Sequence, residues 1–180
     1  AALATAFLCT IALVLGCVLG CLGAAAYHAA TFKSDVPPKT LVQGEMQIHF
    51  LELGNAYTGD CTYIKAGEND ILIDAGSNTG SIPTIAAYLN EHVTDGILEY
   101  VIVTHAHEDH YAGFATSETT DSLFDLFECK TIIDFARTNK EPTAKMQANY
   151  LRELADEVAN GATHYTAAEC IEQGKSLFDL

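Results

Sequence analysis

The sequence has few positive charges. Nine lysine and arginine residues stand against twenty-four aspartate and glutamate residues, which gives a formal net charge of −15. A net charge of this size keeps a domain soluble and repels polyanions at long range, which argues against a basic groove for nucleic acid. A bound divalent ion would reverse the field locally at its own site. The composition therefore argues against a nucleic-acid substrate unless bound metal ions supply positive charge at the site.

Several sequence motifs that carry chemistry are also absent. The sequence has no internal repeats, no Walker phosphate loop, no Gly-x-Ser-x-Gly nucleophile elbow and no heptads. Outside the apolar N-terminal stretch the cysteines are Cys61, Cys129 and Cys170, an odd number that defines no disulfide framework. No two of them lie within four residues of each other, so they form no zinc knuckle. We expect buried structural thiols.

Charged side chains are missing from residues 1–32, and Leu3 to Ala26 is almost wholly apolar. As a helix this stretch would be about 36 Å long, which exceeds the bilayer core of about 30 Å. We therefore predict a signal peptide or membrane anchor over residues 1–30, and an extracytoplasmic protein that is tethered or secreted. A cleaved signal, a retained anchor and a lipid anchor on Cys17 or Cys21 all remain open, because no basic region precedes the apolar run.

Residues 31–44 contain Pro37 and Pro38 and predict a linker, which leaves residues 45–180 as the folded domain. Alternating apolar residues and helical spacing predict strands and helices in turn, a βα order typical of an α/β fold. The predicted strands begin near Met46, Cys61, Asp70, Leu98, Thr131 and Ala162. The predicted helices cover Ser81–His92, Asp121–Phe127 and a longer segment capped by Thr143 in which Met146, Tyr150, Leu154 and Val158 form an apolar stripe widened by Leu151 and Ala155.

One loop concentrates the candidate chemistry. Thr104-His105-Ala106-His107-Glu108-Asp109-His110 places three of the seven histidines within six residues, directly after the apolar strand Leu98–Val103. Ligand sites often lie at the carboxyl ends of such strands. Imidazole nitrogen suits zinc, and a carboxylate can complete the ligand set or bridge to a second ion. A solvent-exposed polar loop is the alternative, but chance rarely places these residues together, so the spacing predicts a metal loop.

The same residues resemble a known family. Thr104–Gly113, together with Ile71–Gly76, resembles the metallo-β-lactamase-fold hydrolases. Phe50–Gly54 and Gly59–Ile64 resemble the opening strands of the hydrolase domain in ComEC-like competence proteins. The resemblance implies the N-terminal half of an αββα sandwich, with further ligands contributed by later segments. Gly174 to Leu180 reads like the start of another strand, so we expect an N-terminal fragment of the family's domain that is inactive alone.

The resemblance also implies a role for each site residue. His105 and His107 would bind one zinc ion, and Asp109 and His110 a second. Zinc lowers the pKa of bound water to about 7, which provides a nucleophile at neutral pH. Asp109 can also position that water and is the candidate catalytic residue. Asp74 would orient a histidine through its ring N–H, although an aspartate before a glycine also commonly caps a turn.

The remaining predictions concern other histidines and the substrate. We expect His49, on the polar face of the first strand, His92, at a helix end, and His164 to be structural. Resemblance to the competence proteins favours a metal-dependent phosphodiesterase acting on nucleic acid. The alternatives are a lactone, thioester or β-lactam hydrolase, or an exported binding module without turnover. The membrane is an expected partner through the N-terminal segment, and no protein partner is inferred.

Overall fold

A computed structural model describes residues 44–54, 59–116, 120–135 and 145–172. The predicted membrane segment, most of the linker, Thr143 and residues 174–180 lie outside these residues. The chain divides into two compact units, residues 1–39 and 40–180, and every described residue belongs to the second. Within the described ranges, no helix has both the length and the apolar character needed to cross a membrane.

The described strands form one six-stranded sheet whose spatial order follows the chain. They are β1 (Met46–Phe50), β2 (Thr62–Ala66), β3 (Asn69–Ile73), β4 (Ile97–Ile102), β5 (Glu128–Asp134) and β6 (Thr163–Thr166). The first three strands pair antiparallel, and the predicted hairpin turns at Gly67 and Glu68. From β3 to β6 all pairs are parallel. The sheet is therefore mixed, and the predicted α/β class is confirmed.

Helices provide the crossovers that parallel strands require. They are α1 (Ile82–His92), α2 (Glu108–Tyr111), α3 (Leu123–Leu126), α4 (Lys145–Asn160) and α5 (Ala167–Glu172). Two short 3₁₀ turns, Thr79–Ser81 and Ala112–Phe114, precede α1 and follow α2. α1 joins β3 to β4, and α4 joins β5 to β6. The three helices predicted from sequence are confirmed with bounds that differ by a few residues.

The main core lies on one face of the sheet, because side chains of a strand alternate between faces. Leu72, Val101 and Ile132 occupy this face in the three central strands and are fully buried. They share a core with Ile85 and Leu89 of α1, among other helical residues. The opposite face is more exposed at its β1 edge, where 84% of Phe50 and 58% of Met46 are accessible. The free cysteines Cys61, Cys129 and Cys170 are all buried, as predicted.

His49 differs from the sequence interpretation, which placed it on a polar face. Its ring packs against Tyr63, Tyr88 and His92, with ring centroids 5.2, 5.8 and 5.2 Å away. Burial lowers the pKa of His49, with a smaller contribution from the charge of His92. The histidine packs on the helix side because β1 turns Met46, Ile48 and Phe50 to the opposite side. Its structural role stays a prediction.

The start of α1 also differs from the sequence prediction. Ser81 precedes the helix as predicted, and Pro83 lies in its first turn, but the Ser81 side chain makes no capping hydrogen bond. A side-chain cap requires a residue with non-helical backbone angles, whereas Ser81 has φ −77° and ψ −22° as the last residue of the 3₁₀ turn. Asn78 caps that turn instead, since its Oδ1 accepts a hydrogen bond from the Gly80 N–H.

The apolar stripe of α4 is narrower than predicted. Tyr150 and Leu154 are buried, but 46% of Leu151 and 44% of Val158 are accessible. Glu153 is buried instead. Its Oε1 accepts a 2.6 Å hydrogen bond from Arg152 Nη2, which also donates to the Thr116 carbonyl at 2.7 Å. The helix is thus turned so that a polar pair, and not Leu151, faces the neighbouring loop.

Candidate metal centre

The site forms where β3 and β4 end side by side. These strands are parallel neighbours, so the residues that follow them emerge at the same edge of the sheet. The Asp74 N–H continues the ladder by donating to the Ile102 carbonyl at 2.9 Å. The Asp74 side chain therefore lies beside the loop that begins at Thr104. Thirty residues separate the two segments in sequence, and the parallel pairing brings them together.

Asp74 is buried and organises the loop through three hydrogen bonds. Its Oδ1 accepts from the Thr104 N–H at 2.8 Å, and its Oδ2 accepts from the Thr104 hydroxyl at 2.6 Å. The same Oδ2 lies 2.8 Å from His110 Nδ1. Asp74 has a positive φ of 61°, a conformation that aspartate tolerates better than most residues. The carboxylate thus holds a proton on Nδ1 and leaves Nε2 of His110 as the nitrogen able to bind a metal.

His105 and His107 form a pair of possible metal donors. His105 Nε2 lies 3.1 Å from His107 Nδ1, close to the separation of about 3.3 Å expected for two nitrogens on one tetrahedral zinc ion. The turn is closed by hydrogen bonds from the His107 N–H to the His105 carbonyl and from the His110 N–H to the His107 carbonyl, both 3.0 Å. His107 has extended backbone angles and immediately precedes α2. This turn directs the two imidazoles towards each other.

His110 lies beside the ring of His105 and also close to two carboxylates. Its ring centroid lies 3.8 Å from that of His105. Its Nε2 lies 3.7 Å from Asp109 Oδ2 and 3.9 Å from Asp60 Oδ2. The His110 side chain is 11% exposed, whereas those of Asp109 and Asp60 are 46% and 77% exposed. The free nitrogen of a nearly buried histidine therefore faces two accessible carboxylates.

The donor types fit a zinc-like ion, because imidazole nitrogens and carboxylate oxygens are its usual ligands beside thiolate. His105, His107, Asp109 and His110, predicted as ligands from the sequence, lie together, and Asp74 contacts His110 as a supporting carboxylate should. Within the described residues, however, no three His, Cys, Asp or Glu side chains form a closed metal-binding group. The donors lie close together as two pairs, His105 with His107 and Asp109 with His110. Their roles in metal binding stay predictions.

Asp60 is the residue that sequence reasoning missed. It lies in the stretch that resembles the competence proteins, but nothing in its spacing connects it with the histidines. The connection comes from main-chain pairing: the Asp60 N–H donates to the Asp109 carbonyl at 3.3 Å, and the Gly76 N–H donates to the Asp60 carbonyl at 2.9 Å. The sequence signal that could have indicated Asp60 was the pair Gly59-Asp60, directly before a predicted strand.

A second carboxylate–imidazole pair lies at the ends of β5 and β6. His164 Nε2 is 2.7 Å from Asp134 Oδ1, and the Tyr150 hydroxyl donates to Asp134 Oδ2 at 2.9 Å. The hydrogen bond to Asp134 raises the pKa of His164. The polar partner of His164 is thus Asp134, and no described hydrogen bond or ion pair joins it to the metal loop. Its predicted structural role agrees with these contacts.

Comparison with known proteins supports the family resemblance. Residues 54–117 match the family model described as "Metallo-beta-lactamase superfamily", and this range contains Asp74 and the whole metal loop. A search of curated proteins found no match. A crystal structure of a metallo-β-lactamase from Hirschia baltica matches with 15% identity and a TM-score of 0.35, covering 71% of this chain and 49% of that one. The chain thus spans about half the length of that structure. The family model thus matches the segment around Asp74 and the metal loop, which is less than half of the chain.

Proposed function

We propose that the protein is a metal-dependent hydrolase in which His105, His107, Asp109 and His110 hold a two-zinc centre. The observation that carries this proposal is the fixed orientation of His110, whose Nδ1 contacts the buried Asp74 while its Nε2 faces the other donors. A carboxylate that fixes the tautomer of a ligating histidine is the usual support around zinc. The superfamily match to residues 54–117 agrees with this chemistry.

Each residue then has a distinct task. Bound zinc would supply Lewis acidity and lower the pKa of water to about 7. His105 and His107 offer the nitrogens of one ion, and His110 and Asp109 offer a nitrogen and an oxygen to the other. Asp109, with 46% of its side chain exposed, can accept a hydrogen bond from water that enters the site and so position it. Asp74 keeps His110 in one tautomer and takes no direct part.

Two donors per ion are fewer than the three protein ligands usual in catalytic zinc sites. We therefore propose that turnover also requires donors from outside the described residues, and that this chain alone binds metal without efficient hydrolysis. Weak metal binding by the chain with no turnover is the expected result. Efficient zinc-dependent hydrolysis by the purified 180-residue chain would contradict this part of the proposal.

For the substrate we propose a phosphodiester in nucleic acid, on the basis of the competence-like stretches 50–54 and 59–64. The net charge of −15 requires that the metals, and not basic side chains, engage the phosphate. We also propose that the protein works outside the cytoplasm, tethered or secreted, because residues 3–26 are apolar and uncharged. Lactones, thioesters and β-lactams are the competing substrates, since a metal site on this scaffold does not define the substrate.

The experiment is a fractionation of cells that produce the full-length protein, followed by activity assays of each fraction. Single- and double-stranded DNA, a lactone, a thioester and a β-lactam are the substrates, each with and without a chelator. We expect DNA cleavage in the membrane or extracellular fraction, abolished by the chelator. Recovery in the cytoplasm would reject the localisation. Turnover of one of the small esters or lactams without DNA cleavage would reject the substrate, and a complete lack of bound metal would reject the hydrolase itself.

A further inference from the structure

We propose that Asp60 is a further metal-binding residue, whose carboxylate shares an ion with His110 and Asp109. This inference rests on the proposed metal centre and extends it by a ligand from the segment that precedes β2. Asp60 Oδ2 lies 3.9 Å from His110 Nε2, and Asp109 Oδ2 lies 3.7 Å from the same nitrogen. Two ligands on one tetrahedral ion lie about 3.3–3.5 Å apart, given metal–ligand distances of about 2.0–2.2 Å. A small shift of either exposed carboxylate would therefore bring it to ligand distance from an ion on His110 Nε2.

The nitrogen concerned is the one that a metal would use. His110 Nδ1 is 2.8 Å from Asp74, so the Nε2 lone pair points away from Asp74 and towards Asp60 and Asp109. The side chains of Asp60 and Asp109 are both accessible, and an ion can enter from solvent. Nε2 thus faces two carboxylate oxygens, and the three groups do not form a closed metal-binding group within the described residues.

Electrostatics also favours a cation here. In the described part of the chain, Asp60 and Asp109 each lie within 4 Å of His110 Nε2 and form no ion pair with a lysine or arginine. Two carboxylates directed at one site repel each other unless a positive charge lies between them. A divalent ion would provide that charge and would bind all three groups at once.

The position of Asp60 is set by its main chain, which contacts both halves of the site. The Asp60 N–H donates to the Asp109 carbonyl, and its carbonyl accepts from the Gly76 N–H. Gly59 makes this approach possible, because a Cβ at that position would lie 2.5 Å from the Ser77 nitrogen and 2.9 Å from the Asp109 oxygen. The Asp60 side chain is left free for a ligand, since the structural hydrogen bonds are made by the backbone.

A second carboxylate on the ion changes which metal the site prefers. Imidazole ligands suit zinc, whereas added carboxylates favour harder ions such as Mn²⁺. Replacement of Asp60 should therefore weaken Mn²⁺ more than Zn²⁺. A purely structural role for Asp60 would not alter the ratio of the two affinities.

The test is calorimetric titration of the chelator-stripped 180-residue chain with Zn²⁺ and separately with Mn²⁺. Asp60→Asn keeps the shape of the side chain and removes its charge. Asp156→Asn, at an exposed position on α4, removes the same charge elsewhere. We expect Asp60→Asn to weaken binding by about 10-fold or more, with the larger loss for Mn²⁺, while Asp156→Asn changes binding less than about twofold. Circular dichroism of both variants checks that the fold is retained.

The outcomes separate this inference from the proposed function. Binding by Asp60→Asn that matches Asp156→Asn for both ions, while the wild-type chain binds metal, would overturn the assignment of Asp60 alone. A wild-type chain that binds neither ion would overturn the proposed metal centre, and this assignment with it.

Discussion

Two buried carboxylates lie at strand ends in this protein, and each contacts an imidazole. Asp74 follows β3 and lies 2.8 Å from His110, while Asp134 ends β5 and lies 2.7 Å from His164. In exposure the two aspartates are nearly equal, at 2% and 4%. Distance and burial therefore do not distinguish the candidate metal centre from the second pair.

What distinguishes them is the set of further groups around each pair. His110 contacts Asp74 through Nδ1, and its Nε2 faces Asp60 and Asp109 beside the ring of His105. His164 contacts Asp134 through Nε2, and the remaining acceptor of Asp134 binds the Tyr150 hydroxyl of α4. The first pair presents a free nitrogen to further donors, whereas the second pair ties β5, β6 and α4 together.

A carboxylate–histidine pair is therefore not a functional site by itself. The same contact can orient a ligand or bridge secondary-structure elements, and the further partners of the pair decide between these roles.

The largest expected effect is on metal content. Replacing His107 or Asp109 by Ala should remove most of the bound zinc, measured by elemental analysis, because each removes half of a donor pair. Both side chains are accessible, so the fold should survive. His164→Ala is the matched control and should retain wild-type zinc. Unchanged zinc in both the His107 and Asp109 variants, or an equal loss in the control, would remove the distinction between the two pairs.

Replacing Asp74 by asparagine should have the next largest effect, which is a loss of zinc affinity. In Asp74→Asn the amide N–H can donate to His110 Nδ1, which moves the ring proton to Nε2 and blocks that nitrogen. Zinc affinity should fall about 10- to 100-fold, measured by calorimetry. Asparagine also tolerates the positive φ of residue 74, so the backbone should be retained. Asp134→Asn makes the same chemical change at the second pair and should leave zinc affinity unaltered; an equal loss there would refute the comparison.

The metal side of the sheet also depends on close backbone packing. A Cβ on Gly113, which follows α2, would lie 2.4 Å from the Ala75 carbonyl oxygen and 2.8 Å from the Ala75 Cβ. Gly113→Ala should therefore lower the free energy of unfolding by about 1–3 kcal/mol, measured by urea denaturation. Gly67→Asn serves as control, because that turn has no neighbour within 4 Å and its φ of 59° suits asparagine. Equal stability of both variants would contradict the close approach.

The smallest effect concerns the pH dependence of the second pair. The hydrogen bond to Asp134 raises the pKa of His164 above the ordinary value of 6.5. A raised pKa in the folded state means that the stabilisation is fully present below pH 6.5 and is lost as pH rises through the folded pKa. His164→Gln should cost about 0.5–1 kcal/mol at acidic pH and less at alkaline pH, measured by urea denaturation at both. A loss that does not depend on pH would show that charge plays no part.

Much of the fold could be predicted from the sequence because its signals are local. Alternation of apolar residues identified the strands, helical spacing identified α1 and α4, and the order of elements indicated an α/β fold. The candidate metal loop could also be recognised from sequence, since three histidines and an aspartate lie within six residues after a buried strand. Strand and helix periodicity can be read within short stretches of chain, and the ability to bind a metal follows from the residue types themselves.

Other features were decided by tertiary structure, because they depend on contacts between distant segments. Parallel pairing of β3 with β4 brings Asp74 to His110, and main-chain hydrogen bonds bring Asp60 to the same ring. The rotation of α4 exposes Leu151 and buries Glu153. The two imidazole–carboxylate pairs have similar spacing, since each joins an aspartate at a strand end to a histidine thirty or more residues later. The histidine cluster marks the first pair in the sequence, but only the tertiary structure shows which atoms each pair contacts, because those contacts come from distant segments.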